Sequence, residues 1–404
     1  MKNYIFLTDY YLPKPSAVGV CIEAIANELR QKGNKVFVVC FEDGLTADNS
    51  SGVTVRKVRV PSFLASVSGK GFKAKINHFE SVFCKLIHIN QYPLRSKSLV
   101  NVIVSEVESI IKSFPPNEEI ELVAAYNPIE TVIAGGMLKS RHPELIAVYY
   151  SADSLSNEKG NNGILSASKR ELLGKRMESR LFNLYDYVLI MECHKAHYSS
   201  EFFESYRNKI INAGFPLIKK NTIASNRIKN DNKIVFTYAG TLYKKLRNPK
   251  AACDFLLELL PEINGVAYFL GGGDCEEYLK YYEEASNGRI VFLGMQPHEV
   301  ALDYINDADV LISIGNKQSP MAPSKIYEYM STGKPIIHFC SWEGDNCIAP
   351  LNQYGNSKII FEETAVDDQM IAFCKSAKAI STEKVNEMFF KFTPEYSACL
   401  LENL

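Results

Sequence analysis

Short apolar runs alternate with stretches of helical period over nearly the whole chain, which is the sequence form of βα units built around parallel sheets. In the first half, Tyr4–Thr8, Lys35–Phe41, Val53–Val58, Leu122–Tyr126, Ile146–Tyr150 and Tyr187–Met191 read as strands. Helices fall between several of them, as in Val20–Lys32, which ends at Gly33 as a helix C-terminus should. The second half restarts the series with Ile234–Ala239, Val266–Leu270, Ile290–Leu293, Val310–Ile314, Ile336–Phe339 and Lys358–Phe361. Two consecutive doubly wound domains follow, 1–213 and 214–383. The boundary falls in Ala213–Asn232, where Gly214, Pro216 and a polar run read as a solvated linker. A last segment from Lys384 is helical in period and is broken by Pro394.

Several strand ends carry candidate chemistry. Asp9–Val20 is a loop of turn formers that opens a helix, where Gly19 lets the backbone approach a ligand; a steric need for glycine at such a corner explains it equally well. After Ile234–Ala239, Gly240 permits a tight turn and Thr241 offers a hydroxyl. One of Lys245 and Arg247 is expected to neutralise a diphosphate. Gly271-Gly272-Gly273-Asp274 lacks the third glycine of a dinucleotide fingerprint and reads as a close-packed turn capped by Asp274. Asp153 lies past a strand end, where doubly wound sheets place ligands; it either acts on an acceptor hydroxyl or a developing positive charge, or caps a turn. His194 and His197 follow another strand end and read as surface or cap histidines. Asp307-Ala308-Asp309 reads as the polar entrance to a buried strand, and without other clustered oxygen ligands no metal is expected in the chemistry.

The segment Pro323–Pro335 carries the strongest signal. Pro323 and Ser324 open a helix whose free N–H groups and dipole suit an anion, and Lys325 adds a cation in the first turn. Glu328 lies one turn on from Ser324, so a carboxylate and a hydroxyl can face one polyol. Gly333-Lys334-Pro335 then stops the helix. An anion cradle joined to a polyol-binding carboxylate points to a nucleotide-sugar site.

This segment resembles the donor-site helix of retaining GT-B glycosyltransferases of family 4, in which proline, serine, lysine and glutamate precede Tyr-Met and Gly-Lys-Pro. The resemblance implies an α/β fold of two Rossmann-like domains facing across a cleft, with the terminal helix 384–404 crossing back to the first. It also implies transfer of a hexosyl or N-acetylhexosaminyl group from a nucleotide diphosphate sugar to a glycan or lipid-linked hydroxyl, as in bacterial surface polysaccharide synthesis. Gly19 and Met295 then lie where the family contacts its donor, and Glu328 orients nucleotide or sugar. No cofactor or metal is implied. The family's second glutamate, eight positions earlier, is Pro320 here, and the arginine it usually has after the glycine is Thr241. A sugar-nucleotide epimerase of the same fold and a non-catalytic donor-binding subunit remain as alternatives.

Composition narrows the partners. At 404 residues the chain has room for two or three domains, and 45 Lys+Arg against 46 Asp+Glu gives no basic excess for bulk nucleic-acid binding. The ten cysteines show no C-x-x-C pair, as expected of a reduced compartment, and Cys340 and Cys347 are the closest pair. With no signal peptide and no long apolar run, the expected location is cytoplasmic, either soluble or peripheral at a membrane. The segment 66–98 sets six basic residues against the single Glu80, with Phe72, Ile76, Phe79, Phe83 and Leu86 at near-helical spacing. It is either a domain helix with an inward apolar stripe or a surface for anionic membranes.

Overall fold

The computed structural model describes residues 2–13, 15–45, 52–61, 64, 79–80, 82–84, 87–116, 118–126, 128–157, 165–219, 232–317, 324–361 and 364–404. The chain divides into two compact units, Met1–Pro216 with Pro394–Leu404, and Leu217–Thr393. Pro320, Pro323 and residues 65–78 lie outside the described residues.

The first unit holds a sheet of β1 (Asn3–Leu7), β2 (Lys35–Phe41), β3 (Thr54–Val58), β4 (Ile120–Tyr126), β5 (Ile146–Ser151), β6 (Tyr187–Met191) and β7 (Ile210–Ala213). All pairings are parallel, in the order β3-β2-β1-β4-β5-β6-β7. Every residue of β1 and β4 is buried, because helices cover both faces of a parallel sheet. The helix after β1 spans Ala17–Gln31, with Ser16 as its N-cap, and Gly33 follows its end at φ +88°. The helix Lys97–Ile111 begins on a buried carboxylate. Glu130 accepts the backbone N–H groups of Arg95 and Ser96 at 2.9 and 3.2 Å and pairs with the Arg95 guanidinium at 3.4 Å. Arg95 is thereby neutralised inside the fold.

The second unit holds β8 (Ile234–Ala239), β9 (Gly265–Leu270), β10 (Ile290–Gly294), β11 (Val310–Ile314), β12 (Ile336–Cys340) and β13 (Ser357–Phe361), again all parallel. The order is β10-β9-β8-β11-β12-β13, so the winding reverses between β8 and β11. Asp307-Ala308-Asp309 is the entrance to β11: the Asp309 carboxylate accepts the Val235 N–H at 2.8 Å and fixes the start of β8.

Residues 384–393, grouped by sequence with the returning helix, belong to the second unit, where Tyr327 stacks on Phe392 at 4.5 Å. The return begins at Pro394. The helix Pro394–Glu402 packs on the helix Ala17–Gln31, and Glu402 pairs with Lys32 and accepts from Asn34, each at 2.9 Å.

Candidate active site

Doubly wound sheets bind ligands beyond the strand C-termini where the winding reverses, because the flanking helices there leave on opposite faces. In the second unit that point lies between β8 and β11, which pair at Val310–Phe236 and Leu311–Thr237. Two residues further along β8, the buried Tyr329 enters from the helix Lys325–Ser331. Its hydroxyl accepts the Ala239 N–H at 2.8 Å and donates to the Ala239 carbonyl at 3.2 Å. This tyrosine fixes the helix Lys325–Ser331 beside Gly240. Burial raises the pKa of its hydroxyl, the Glu328 carboxylate raises it further and the Arg247 guanidinium opposes both, so an anion and a cation flank one strand end.

Glu328 and Lys325 form an ion pair at 2.5 Å, and both are partly exposed. Ser324 stands one turn before Glu328 at the start of the same helix. Ser324 is the helix N-cap in right-handed helical conformation and makes no side-chain capping bond.

The loop after Gly240 is braced from both sides. A Cβ on Gly271 would lie 1.8 Å from the Gly240 carbonyl oxygen, and one on Gly273 1.8 Å from that of Leu242, so the triple glycine lets two loops run in contact. Asp274 accepts the Lys244 N–H at 2.7 Å, as a capping residue. Arg247 donates to Asn316 Oδ1 from Nε at 3.1 Å and Nη2 at 2.8 Å, and to the Thr241 carbonyl at 3.3 Å. It ties the β8 loop to the end of β11, using three of its five N–H donors. Lys245 is exposed on the rim of a cleft of about 580 Å³ that Lys250, Lys317, Gly315 and Ser341 also line. Met295, beyond β10, is 71% exposed.

The candidates of the first unit behave differently. Gly19 is needed for packing: a Cβ there would lie 2.0 Å from the Tyr10 carbonyl oxygen, and its N–H is already donated to Ser16 Oγ at 2.9 Å. Ser16 in turn donates to Asp9 at 2.5 Å, whose pKa is raised chiefly by burial. Asp153 is half-buried in the loop after β5, with its carbonyl accepting from Ser151 Oγ at 2.9 Å. That loop is organised by Glu178, which sequence reasoning passed over. This fully buried carboxylate accepts from Tyr198 Oη at 2.8 Å, from Ser154 Oγ at 3.3 Å, and from both the N–H and the hydroxyl of Ser156. His197 Nε2 meets Ser156 Oγ at 2.7 Å. His194 is buried rather than on the surface, and it is the N-cap residue of the short helix Lys195–Tyr198, as the cap alternative expected. Burial, first of all, pushes both histidines down to about 4, which keeps them neutral near pH 7.

No family model matches the sequence, and no curated protein does. Solved structures do match over the whole chain. A lipopolysaccharide outer core galactosyltransferase, WaaB, in its apo form is 13% identical with a TM-score of 0.51, and 100% of each chain is covered. The catalytic domain of starch synthase IV from Arabidopsis thaliana, bound to ADP and acarbose, is 13% identical with a TM-score of 0.57, covering 100% of this chain and 98% of that one. A sucrose-phosphate synthase from Thermosynechococcus elongatus is 10% identical with a TM-score of 0.59, at the same coverage. The likeness establishes the fold, α/β with two Rossmann-like domains of the GT-B class.

Proposed function

We propose that this chain is a glycosyltransferase that moves a sugar from a nucleotide diphosphate sugar to a hydroxyl of a glycan or lipid-linked saccharide, with retention of configuration. The observation that carries the reading is the joint placement of Glu328 and Arg247 around Tyr329 where β8 and β11 part. Structures named as sugar-transferring enzymes share the fold over the full chain, which supports the same reading.

In this reading the bond from the donor sugar to its phosphate breaks, and one from the sugar to the acceptor oxygen forms on the same face. The acceptor proton passes to a donor phosphate oxygen. Lys245, exposed on the cleft rim, stabilises the departing diphosphate, and Arg247 holds the loop that carries it. Glu328 releases Lys325 to the phosphates when its carboxylate takes sugar or ribose hydroxyls. Gly240, Thr241, Met295 and Ser324 complete the donor contacts, and Gly19 supports them only by packing. On the first domain Asp153, set by the Glu178 network, is the group proposed for the acceptor hydroxyl.

An anionic membrane surface is the proposed home of the acceptor, at the inner face of a plasma membrane. Phe79, Phe83 and Ile87 recur at helical spacing and are 70%, 55% and 61% exposed, which supports an outward apolar stripe. No described helix is long and apolar enough to cross a membrane. Arg95 leaves the basic set because Glu130 holds it.

Replacing Glu328 by alanine tests the site. Transfer should fall about 100- to 1000-fold, the range for losing one active-site electrostatic contact, with the melting temperature nearly unchanged. Wild-type turnover in the folded variant would remove Glu328 from the mechanism.

A further inference from the structure

We propose that His338, Cys340 and Asp345 bind one zinc ion beside the β11 and β12 strand ends. The site lies outside the transfer chemistry and does not depend on it. His338, Cys340 and Asp345 are all buried, and their ligand atoms lie within 4.8 Å of one another. His338 Nε2 is 3.3 Å from Asp345 Oδ2. That separation matches the edge of a tetrahedron with metal–ligand bonds of about 2.0 Å.

The second ring nitrogen of His338 meets Ser313 Oγ at 2.9 Å, the kind of outer partner that orients a ligating imidazole. In the tautomer that donates Nδ1–H to Ser313 Oγ, the Nε2 lone pair is available to a cation shared with Asp345 Oδ2. Cys347 braces the carboxylate from beside the three: its N–H donates to Asp345 Oδ1 at 2.8 Å. The Cys340 thiol donates to the Trp342 carbonyl at 2.9 Å and gives up that proton when it ligates. The chain also clears space for the cluster: a Cβ on Gly315 would lie 1.9 Å from Asp345 Oδ2 and 3.3 Å from His338 Nε2.

Three protein ligands from one short stretch leave the fourth tetrahedral position to a solvent molecule. Binding releases the Cys340 thiol proton to water. One thiolate and one carboxylate balance the charge of the dication. Cys340 lines the cleft and so provides an entry path. The consequence is mechanical. The ligands fix the loop that holds Trp342, whose indole N–H donates to the Asn316 carbonyl at 3.1 Å, and the Asn316 side chain holds Arg247.

The test uses the full chain without a histidine tag, stripped with chelator, dialysed, and supplied with Zn²⁺ or Co²⁺ alone at micromolar concentration. Elemental analysis should return one metal per chain. Co²⁺ should give the intense visible bands of tetrahedral coordination and a sulfur-to-metal band. Cys340→Ser should lower metal content at least about tenfold. Less than about a tenth of an equivalent of zinc on wild type overturns the proposal. So does undiminished binding by that variant, or a Cys340–Cys347 disulfide in the untreated chain. If the variant fails to fold, wild-type stoichiometry and the cobalt spectrum decide.

Discussion

Glu121→Gln should make the chain more stable, and the gain should grow with pH. Glu121 lies opposite Tyr4 across β4 and β1, fully buried, and neither its carboxylate oxygens nor the Tyr4 hydroxyl has a hydrogen-bond partner. Burial is the first cause that lifts its pKa from 4.5 to about 8. Lys2, at 4.0 Å, opposes the shift, while Glu119 and Glu402 add to it. The unfolded chain holds this proton only below about pH 4.5 and the folded chain up to about pH 8, so folding takes up a proton between them. Stability is therefore fully present below pH 4.5 and is lost as pH rises through 8. At about 1.4 kcal/mol per unit, this one group removes up to roughly 5 kcal/mol over that window. Glutamine keeps the shape of the protonated acid and cannot ionise. Urea unfolding followed by circular dichroism should find wild type and variant nearly equal around pH 5, and the variant ahead by several kcal/mol around pH 9. Tyr4, whose pKa is raised first by burial and then by the Glu121 charge, stays protonated at both pH values, so Glu121 itself carries the difference. A constant difference across pH would refute the reasoning.

Two further substitutions probe the strand ends. Tyr329→Phe strips the Ala239 N–H and carbonyl of their hydroxyl partner and should destabilise the second domain by about 1–3 kcal/mol, read from its melting transition; an unchanged melt would mean another group satisfies them. Lys245→Ala should weaken a nucleoside diphosphate much more than the bare nucleoside in calorimetry. Arg247→Ala should weaken both and also lower the melting temperature, because it unties the β8 loop from Asn316; the reverse pattern would exchange the two roles.

The parallel sheets were legible because buried strands leave unbroken apolar runs: Lys35–Phe41, Tyr187–Met191, Ile234–Ala239 and Val310–Ile314 match their strands end to end. β7 left no such mark. Ile210–Asn212 are only half-buried on an edge, so four residues with an asparagine among them carry little signal. Gly19 was legible as special, but the carbonyl that demands it belongs to Tyr10, a contact known only once the corner is folded. Arg247 read as a free cation because its partner Asn316 lies far along the chain. Glu178 was hidden for a related reason: a charge in the largely polar helix Ala167–Leu184 looks like a solvated face until its four donors converge on it. Cys340 and Cys347 form no disulfide, and the grouping of Cys340 with His338 and Asp345 follows from the turn after β12.

The central claim is sugar transfer from a nucleotide diphosphate donor, and turnover of wild-type chain with a panel of such donors tests it most directly. Release of nucleoside diphosphate should appear with one donor or a small group sharing a base, should accelerate when a glycan or lipid-linked acceptor is added, and should leave the sugar in its original anomeric configuration on the product. Accumulation of an epimerised nucleotide sugar without acceptor would contradict the account, as would tight binding without turnover or the absence of both binding and release across the panel.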